Sequence, residues 1–287
     1  MKLSYYPGCG LHSNATEYDA STRSVFQTLG VTLEELPDWN CCGASSAHST
    51  NAFLALALPL RNLVIAEQQS SKDLVLPCAA CYNLLKDADY QVRNKSEKAQ
   101  KVNLEVADIT GAQYQGTVNV THPLKILAQD QVLTMLEQQV IKPLRGLKVV
   151  TYYGCLLTRP YHVAFDNPEQ PKKMDELLRK LGADVLRWSY KTDCCGGSLT
   201  LSKTEVVIDI ISKLVAAAQQ AGAEAIVTAC PLCLLTLDTR QDKVTKKLPV
   251  FYFTELIGIS FGDRDSSKWM KKHIIDPMPL LESLQLV

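Results

Sequence analysis

Ten cysteines are the residues of this chain best suited to chemistry, and they fall into two sets of five. The first set is Cys9, the adjacent pair Cys41-Cys42, and Cys78-Ala79-Ala80-Cys81. The second is Cys155, Cys194-Cys195, and Cys230-Pro231-Leu232-Cys233. The gaps are 31 and 35 residues in the first set and 38 and 34 in the second, and no cysteine lies outside the pattern. Thiolates hold Zn(II), Cu(I) and iron–sulfur clusters. A structural zinc takes four ligands, and an ordinary cubane cluster also needs only four thiolates. Five thiols overshoot both. Adjacent cysteines in an extended segment point apart, which is awkward around one tetrahedral ion and suits a larger inorganic core. The fifth thiol therefore implies a cluster that is not an ordinary cubane, or one reactive thiol per set. Two alternatives stand beside iron–sulfur chemistry. One is a dithiol redox pair built on CxxC alone. The other is two structural zincs with spare thiols.

The elements that must carry these cysteines alternate between strand and helix. Strand-like Lys2–Tyr6 ends at Pro7-Gly8-Cys9. A helix over Thr16–Leu29 stops at Gly30, and a short strand over Leu33–Leu36 leads to Cys41-Cys42-Gly43. A long helix is predicted over Asn51–Gln69, then a buried strand over Asp73–Leu76 that delivers Cys78, then a helix through Asp89. The second half repeats this order. Its strand is Lys148–Tyr153 before Cys155, its helix Lys172–Leu181, its next strand Asp184–Trp188 before Cys194. A helix over Lys203–Gln220, a strand over Ala225–Thr228 and a helix from Leu232 follow. The halves also match as text: Lys2-Leu3-Ser4-Tyr5-Tyr6-Pro7-Gly8-Cys9 beside Lys148-Val149-Val150-Thr151-Tyr152-Tyr153-Gly154-Cys155. The period is too long for a solenoid. The expectation is two homologous Rossmann-like α/β domains from an internal duplication, 1–145 and 146–287, joined near Lys142–Gly146. In such sheets sites form at the carboxyl ends of the strands, where Cys9, Cys78, Cys155 and Cys230 all fall. The stretch between Cys81 and His122 is about 20 residues longer than its counterpart before Thr254. That insertion, within Lys86–Gly116, is polar and expected to form an exposed helix and loop.

Composition narrows the function classes. Lys plus Arg and Asp plus Glu number 30 each, so the formal net charge is zero, and no nucleic-acid partner is expected. No apolar run is long enough to span a membrane, and Met1–Pro7 lacks the apolar core of a secretory signal. A cytoplasmic location is the expectation, where thiols stay reduced and cysteines serve metals or redox chemistry. Gly8, Gly10, Gly43, Gly154, Gly196 and Gly197 sit within two residues of a cysteine, where glycine lets backbone N–H groups approach sulfur or simply makes a tight turn.

The constellation resembles the cysteine-rich CCG domain in two tandem copies, as in the B subunit of heterodisulfide reductase and its bacterial homologues. The phrases that carry it are Tyr6-Pro7-Gly8-Cys9, Asp38-Trp39-Asn40-Cys41-Cys42-Gly43, Cys81-Tyr82-Asn83, Tyr153-Gly154-Cys155, Cys194-Cys195-Gly196-Gly197 and Cys230-Pro231-Leu232-Cys233. The resemblance implies two noncubane [4Fe-4S] clusters, each held by all five cysteines of its set. It implies a disulfide or sulfur-carrier substrate between them, cleaved or formed with one electron from each. It further implies two partner subunits, one bearing cubane clusters and one bearing flavin. Methanogen-type members commonly carry a histidine directly after the cysteine matching Cys155, where this chain has Leu156, so the methanogen substrate is not carried over. His48 and His162 lie shortly after Cys42 and Cys155 and are weak candidates for a proton donor, ahead of His12 and His122; a packing or capping role is the plainer reading of each. The competing function is an electron-transfer component of a succinate, lactate or glycolate dehydrogenase, passing electrons toward quinone. Members of that kind often carry a fused ferredoxin-like segment, which is absent here.

Overall fold

The computed structural model describes residues 1–44 and 47–287, apart from the side chain of His48. The first half runs β1 (Lys2–Tyr5), α1 (Gly8–Leu11), α2 (Thr16–Thr28), β2 (Thr32–Glu35), α3 (Ala47–Thr50), α4 (Leu54–Glu67) and β3 (Asp73–Val75). It continues with α5 (Ala79–Arg93), α6 (Glu97–Thr110), β4 (Asn119–Thr121), α7 (Pro123–Leu127) and α8 (Asp130–Gln139). The second half runs β5 (Lys148–Tyr152), α9 (Lys173–Lys180), β6 (Asp184–Val185), α10 (Thr204–Gln220) and β7 (Ala225–Thr228). It closes with α11 (Pro231–Thr239), β8 (Val250–Tyr252), α12 (Phe253–Ser260), α13 (Ser266–Met270) and α14 (Met278–Ser283).

Each half holds a parallel four-stranded sheet, ordered β2-β1-β3-β4 in the first and β6-β5-β7-β8 in the second. Parallel strands buried on both faces read as unbroken apolar runs, and β7, Ala225–Thr228, is buried throughout. The chain is therefore two homologous α/β units, as the duplication predicts. The two pack as one body. Helix α2 lies against α12 of the other half, and α9 lies against α7. Tyr18 stacks on Tyr252 at 4.0 Å between ring centres, and Ser21 and Thr254 share a 2.8 Å hydrogen bond. A single apolar core runs through both halves.

Three expectations need correction. The long helix after Cys42 begins at Leu54, because the Asn51 carboxamide accepts hydrogen bonds from Phe53 N and Leu54 N and turns the chain there. The strand predicted over Asp184–Trp188 pairs only at Asp184–Val185; beyond it the Trp188 indole donates instead to Thr151 O. The insertion is not a solvated appendage. It lengthens α5 to Arg93 and adds α6, which packs on α4 through Ala99, Val102, Asn103 and Val106. Its polar sequence hides a buried network in which Tyr114 OH and Arg93 both bond the Asp89 carboxylate.

Candidate metal centres

Each cysteine arrives at the carboxyl end of its sheet. Cys9 follows β1, Cys41-Cys42 follow β2, and Cys78 follows β3 and caps α5, which carries Cys81. The second half repeats this with β5, β6, β7 and α11. All five sulfurs of the first set line one cavity of about 80 Å³. All five of the second line another of about 280 Å³. Within the first, Cys42 and Cys81 Sγ lie 3.2 Å apart, and Cys41 and Cys9 Sγ 3.8 Å. Within the second, Cys195 and Cys233 Sγ lie 3.5 Å apart. All ten are free thiols, with Cys42, Cys78 and Cys81, and their counterparts Cys195, Cys230 and Cys233, buried. Among the described residues no three His, Cys, Asp or Glu side chains converge on a point that one metal ion could fill. The sulfurs of each set ring a space. A larger cavity of about 750 Å³, lined by Lys172, Asp175, Arg187 and Lys191, lies among charged side chains and holds no cysteine.

The cups are built by matched devices. The Tyr6 hydroxyl donates to Asn40 O at 2.7 Å, and Tyr152 donates to Asp193 O at 2.6 Å. Each fixes the carbonyl directly before a Cys-Cys pair. In the first half Asn62, fully buried on α4, adds a two-point clamp, accepting from Asn40 N at 3.0 Å and donating to Asn40 O at 2.9 Å. Gly8 and Gly154 hold left-handed φ angles of +71° and +68°. A Cβ there would meet Cys81 Sγ at 2.8 Å and Cys233 Sγ at 3.0 Å, so only glycine lets the chain pass so close to sulfur. Gly43 N and Gly196 N approach Cys41 Sγ and Cys194 Sγ at 3.5 and 3.3 Å. These residues fit a sulfur-ligated core: soft donors around a space, with backbone N–H groups aimed at them.

The thiols also perturb one another. A hydrogen bond from Cys41, with another from Cys81, pulls the Cys42 thiol down to about 4. Its partners Cys41 and Cys81 are pushed up, first by that same sharing and then by burial or a neighbouring thiol. The second cup repeats this: Cys155 lowers Cys194 to about 6 and is itself raised, while Cys233 lowers Cys195. Thiolate is the ligand form, so binding a metal would release the protons these thiols share.

The histidines take other positions. His162 lines neither cavity; its Nε2 pairs with Asp87 at 2.7 Å and its ring stacks on Tyr90 at 4.0 Å. The side chain of His48 lies outside the described residues. His12 pairs with Glu35 at 3.1 Å on the surface. His122 is fully buried, and burial pushes its pKa down to about 4, so the ring is neutral. Its Nδ1 accepts from Leu124 N, which places the proton on Nε2, facing Pro77 O at 2.8 Å and Ala229 O at 3.1 Å. Tyr6, Tyr152 and Asn62 escaped the sequence reading, although the repeat of Tyr6 at Tyr152 was a usable signal for the two tyrosines.

The two cups adjoin. Ala44, Ala80 and Leu232 line both cavities, and Asn83 of the first half reaches the second, donating to Leu156 O and Arg159 O at 2.8 and 2.7 Å.

Comparison with known proteins agrees with this duplication. The chain is 30% identical over 286 residues to the 8-methylmenaquinol:fumarate reductase membrane anchor subunit of Wolinella succinogenes, covering 97% of this chain and 99% of that one. It is 29% identical to the B subunit of the ferredoxin/F(420)H(2)-dependent CoB-CoM heterodisulfide reductase of Methanosarcina acetivorans, covering 99% and 97%. The fold matches the crystal structure of a hypothetical protein from Helicobacter pylori with a TM-score of 0.75 at 11% identity, over 95% of this chain and 51% of that one. The chain thus spans about half the length of that solved chain. The cysteine-rich domain family CCG matches residues 3–86 and 149–238, both cups included except the linkers between them. With two matched copies over more than half its length, the chain belongs to the cysteine-rich CCG domain family.

Proposed function

We propose that this chain is the iron–sulfur subunit of a heterodisulfide reductase-like complex, with domains 1–145 and 146–287 each holding one noncubane [4Fe-4S] cluster. Cys9, Cys41, Cys42, Cys78 and Cys81 ligate the first, and Cys155, Cys194, Cys195, Cys230 and Cys233 the second. The observation that carries this reading is the juxtaposition of two five-sulfur cups across the shared wall of Ala44, Ala80 and Leu232. Such clusters each supply one electron when bound, and cleaving a disulfide takes two electrons and two protons to give two thiols. The chain holds both centres at one place, which is the proximity such a reaction needs. The second cavity offers an apolar lining of Ala79, Leu84 and Leu156 that would exclude water around a sulfur substrate. Asn83 is already committed to backbone carbonyls, so Ser198 is the free hydroxyl at its edge. Among the described side chains lining that cavity there is no His, Asp, Glu or Lys. Two partner subunits on the cytoplasmic side, one bearing cubane clusters and one bearing flavin, complete the electron path.

A second reading is favoured by the 30% identity to the Wolinella fumarate reductase protein. On this reading the two clusters pass electrons between a quinone pool and a dehydrogenase partner, and no substrate enters the cavity. Among the described residues no helix is long and apolar enough to cross a membrane. Iron analysis of anaerobically purified protein tests the shared part: two four-iron clusters give about eight irons per chain, and two zincs without iron would overturn it. EPR of the oxidised protein separates the two readings. A new signal on adding a thiol supports disulfide chemistry. A spectrum indifferent to thiol, with turnover that depends on quinol, supports electron transfer alone.

A further inference from the structure

The hydrogen bonds between the halves gather beside the cysteines. Asn83 holds Leu156 O and Arg159 O, in the loop directly after Cys155. Tyr18 donates to Ala229 O at 3.3 Å. His122 also faces Ala229 O, and at the same time Pro77 O of its own half. Pro77 and Ala229 are matched residues, each directly before the first cysteine of a CxxC. One imidazole N–H is therefore shared between the two strand ends that deliver Cys78 and Cys230.

Among the described hydrogen bonds, no side chain of the second half mirrors this bridge. Register places Tyr252, and not the Thr254 that the sequence alignment of the halves suggests, where His122 stands, since Thr121 pairs with Val75 and Phe251 with Val227. Both residues cap the helix that follows. Tyr252 stacks on Tyr18 across the interface, whereas the His122 ring lies parallel to Phe165 of the other half at 6.0 Å and edge-on to Tyr82 at 5.9 Å. This aromatic cage fixes the plane of the imidazole, and the capping bond to Leu124 N fixes its tautomer. The shared proton thus has one direction in which to point.

We propose that His122 is a positioning residue that sets both CxxC pairs at once, tying Cys78 and Cys230 into a single rigid unit across the domain boundary. The proposal rests on the reading of the cysteines as two metal-binding sets, yet its consequence is measurable without metal. A buried carbonyl deprived of its donor costs free energy, and the segment that carries it opens more readily. Because one donor serves two carbonyls, losing it loosens both strand ends, Pro77 more than Ala229, whose carbonyl keeps the Tyr18 hydroxyl.

The test is site-resolved alkylation of the full-length, reduced, chelator-treated chain, read by mass spectrometry at each buried thiol. His122→Asn keeps a capping acceptor for Leu124 N and is too short to reach the two carbonyls. His122→Gln places a donor near the lost Nε2. In His122→Asn, alkylation of Cys78 should speed up by about tenfold, as expected for losing a buried hydrogen bond, and that of Cys230 by a smaller factor, because Ala229 O keeps the Tyr18 hydroxyl. Cys42 and Cys195, buried on other loops, should not change. His122→Gln should bring both rates back. Acceleration at Cys78 alone, equal acceleration of all four thiols, or no acceleration would overturn the proposal. Iron content of the wild-type protein tests the metal-binding reading separately, because thiol access needs no iron.

Discussion

At the scale of single residues, a hydroxyl decides where each Cys-Cys pair sits. Tyr6 and Tyr152 occupy matched places and bond matched carbonyls, but their surroundings differ. The Asn40 carbonyl also accepts from Asn62, whereas Tyr152 is the one side chain that donates to Asp193 O among the described hydrogen bonds. Removing the hydroxyl should therefore hurt the second cup more. Tyr152→Phe should lower stability by about 1 kcal/mol, the net worth of one such bond, and Tyr6→Phe by less. Urea unfolding of the two variants measures this; the reverse order would show that the carbonyl contacts do not hold the pairs. The cysteines were legible in the sequence because every thiol falls in the pattern. The tyrosines were not, because a tyrosine ending an apolar strand reads as core. Its burial is indeed complete, and only its hydroxyl partner, 34 or 41 residues on, reveals the second role. At His162 the plainer reading holds. Nearness to Cys155 in sequence made it a weak proton-donor candidate, and the turn at Pro160–Val163 carries the ring away to pack on Tyr90 and pair with Asp87.

At the scale of elements, alternation of strand and helix was readable through hydrophobic runs and glycine stops, and every predicted element is present. What failed was local polar chemistry. Asn51 shortens α4 from the front, and the β6 ladder ends after two residues. The insertion failed for a related reason: a buried carboxylate looks like surface until its partners are known. Asp89 is 1% exposed and is bonded by Arg93 at 2.6 Å and Tyr114 OH at 2.7 Å. Asn103 Nδ2 closes the same layer by donating to Tyr114 O at 2.9 Å, while its Oδ1 accepts from Tyr114 N. Tyr114→Phe keeps the ring in place and strips one donor from a buried carboxylate. It should cost about 1–3 kcal/mol, and hydrogen exchange should rise over α6 while the sheets stay protected. Uniform exchange over the whole chain would mean that the insertion is not a separate layer.

At the scale of the molecule, two CCG units that read as independent in sequence share a core and a charged interface. Helix α2 brings Glu17 beside Glu255 and His273 of the second half. Burial pushes the Glu17 carboxyl up to about 7 from its ordinary 4.5, with Glu255 adding repulsion. Burial opposes charge on His273, but the Glu255 carboxylate 3.0 Å away overcomes it and holds the imidazole up at about 9 rather than 6.5. Both folded-state values are raised, so both groups stabilise the fold at low pH and lose that contribution as pH rises. For Glu17 the loss runs from about 4.5 to about 7, and for His273 from about 6.5 to about 9. Each is on the order of 3 kcal/mol. The urea midpoint should therefore fall steadily between about pH 4.5 and about pH 9. Glu17→Gln should flatten the lower part of that fall and leave the upper part, which belongs to His273. Cys41→Ser supplies the complementary check on coupling. Cys41 lines the first cavity and not the second, and none of its described hydrogen bonds reaches the second half, so the variant should empty one cup and leave the irons of the other. If instead every iron leaves, the interface carries more than the hydrogen bonds of Asn83, Tyr18 and His122 explain, and the two cups assemble as one.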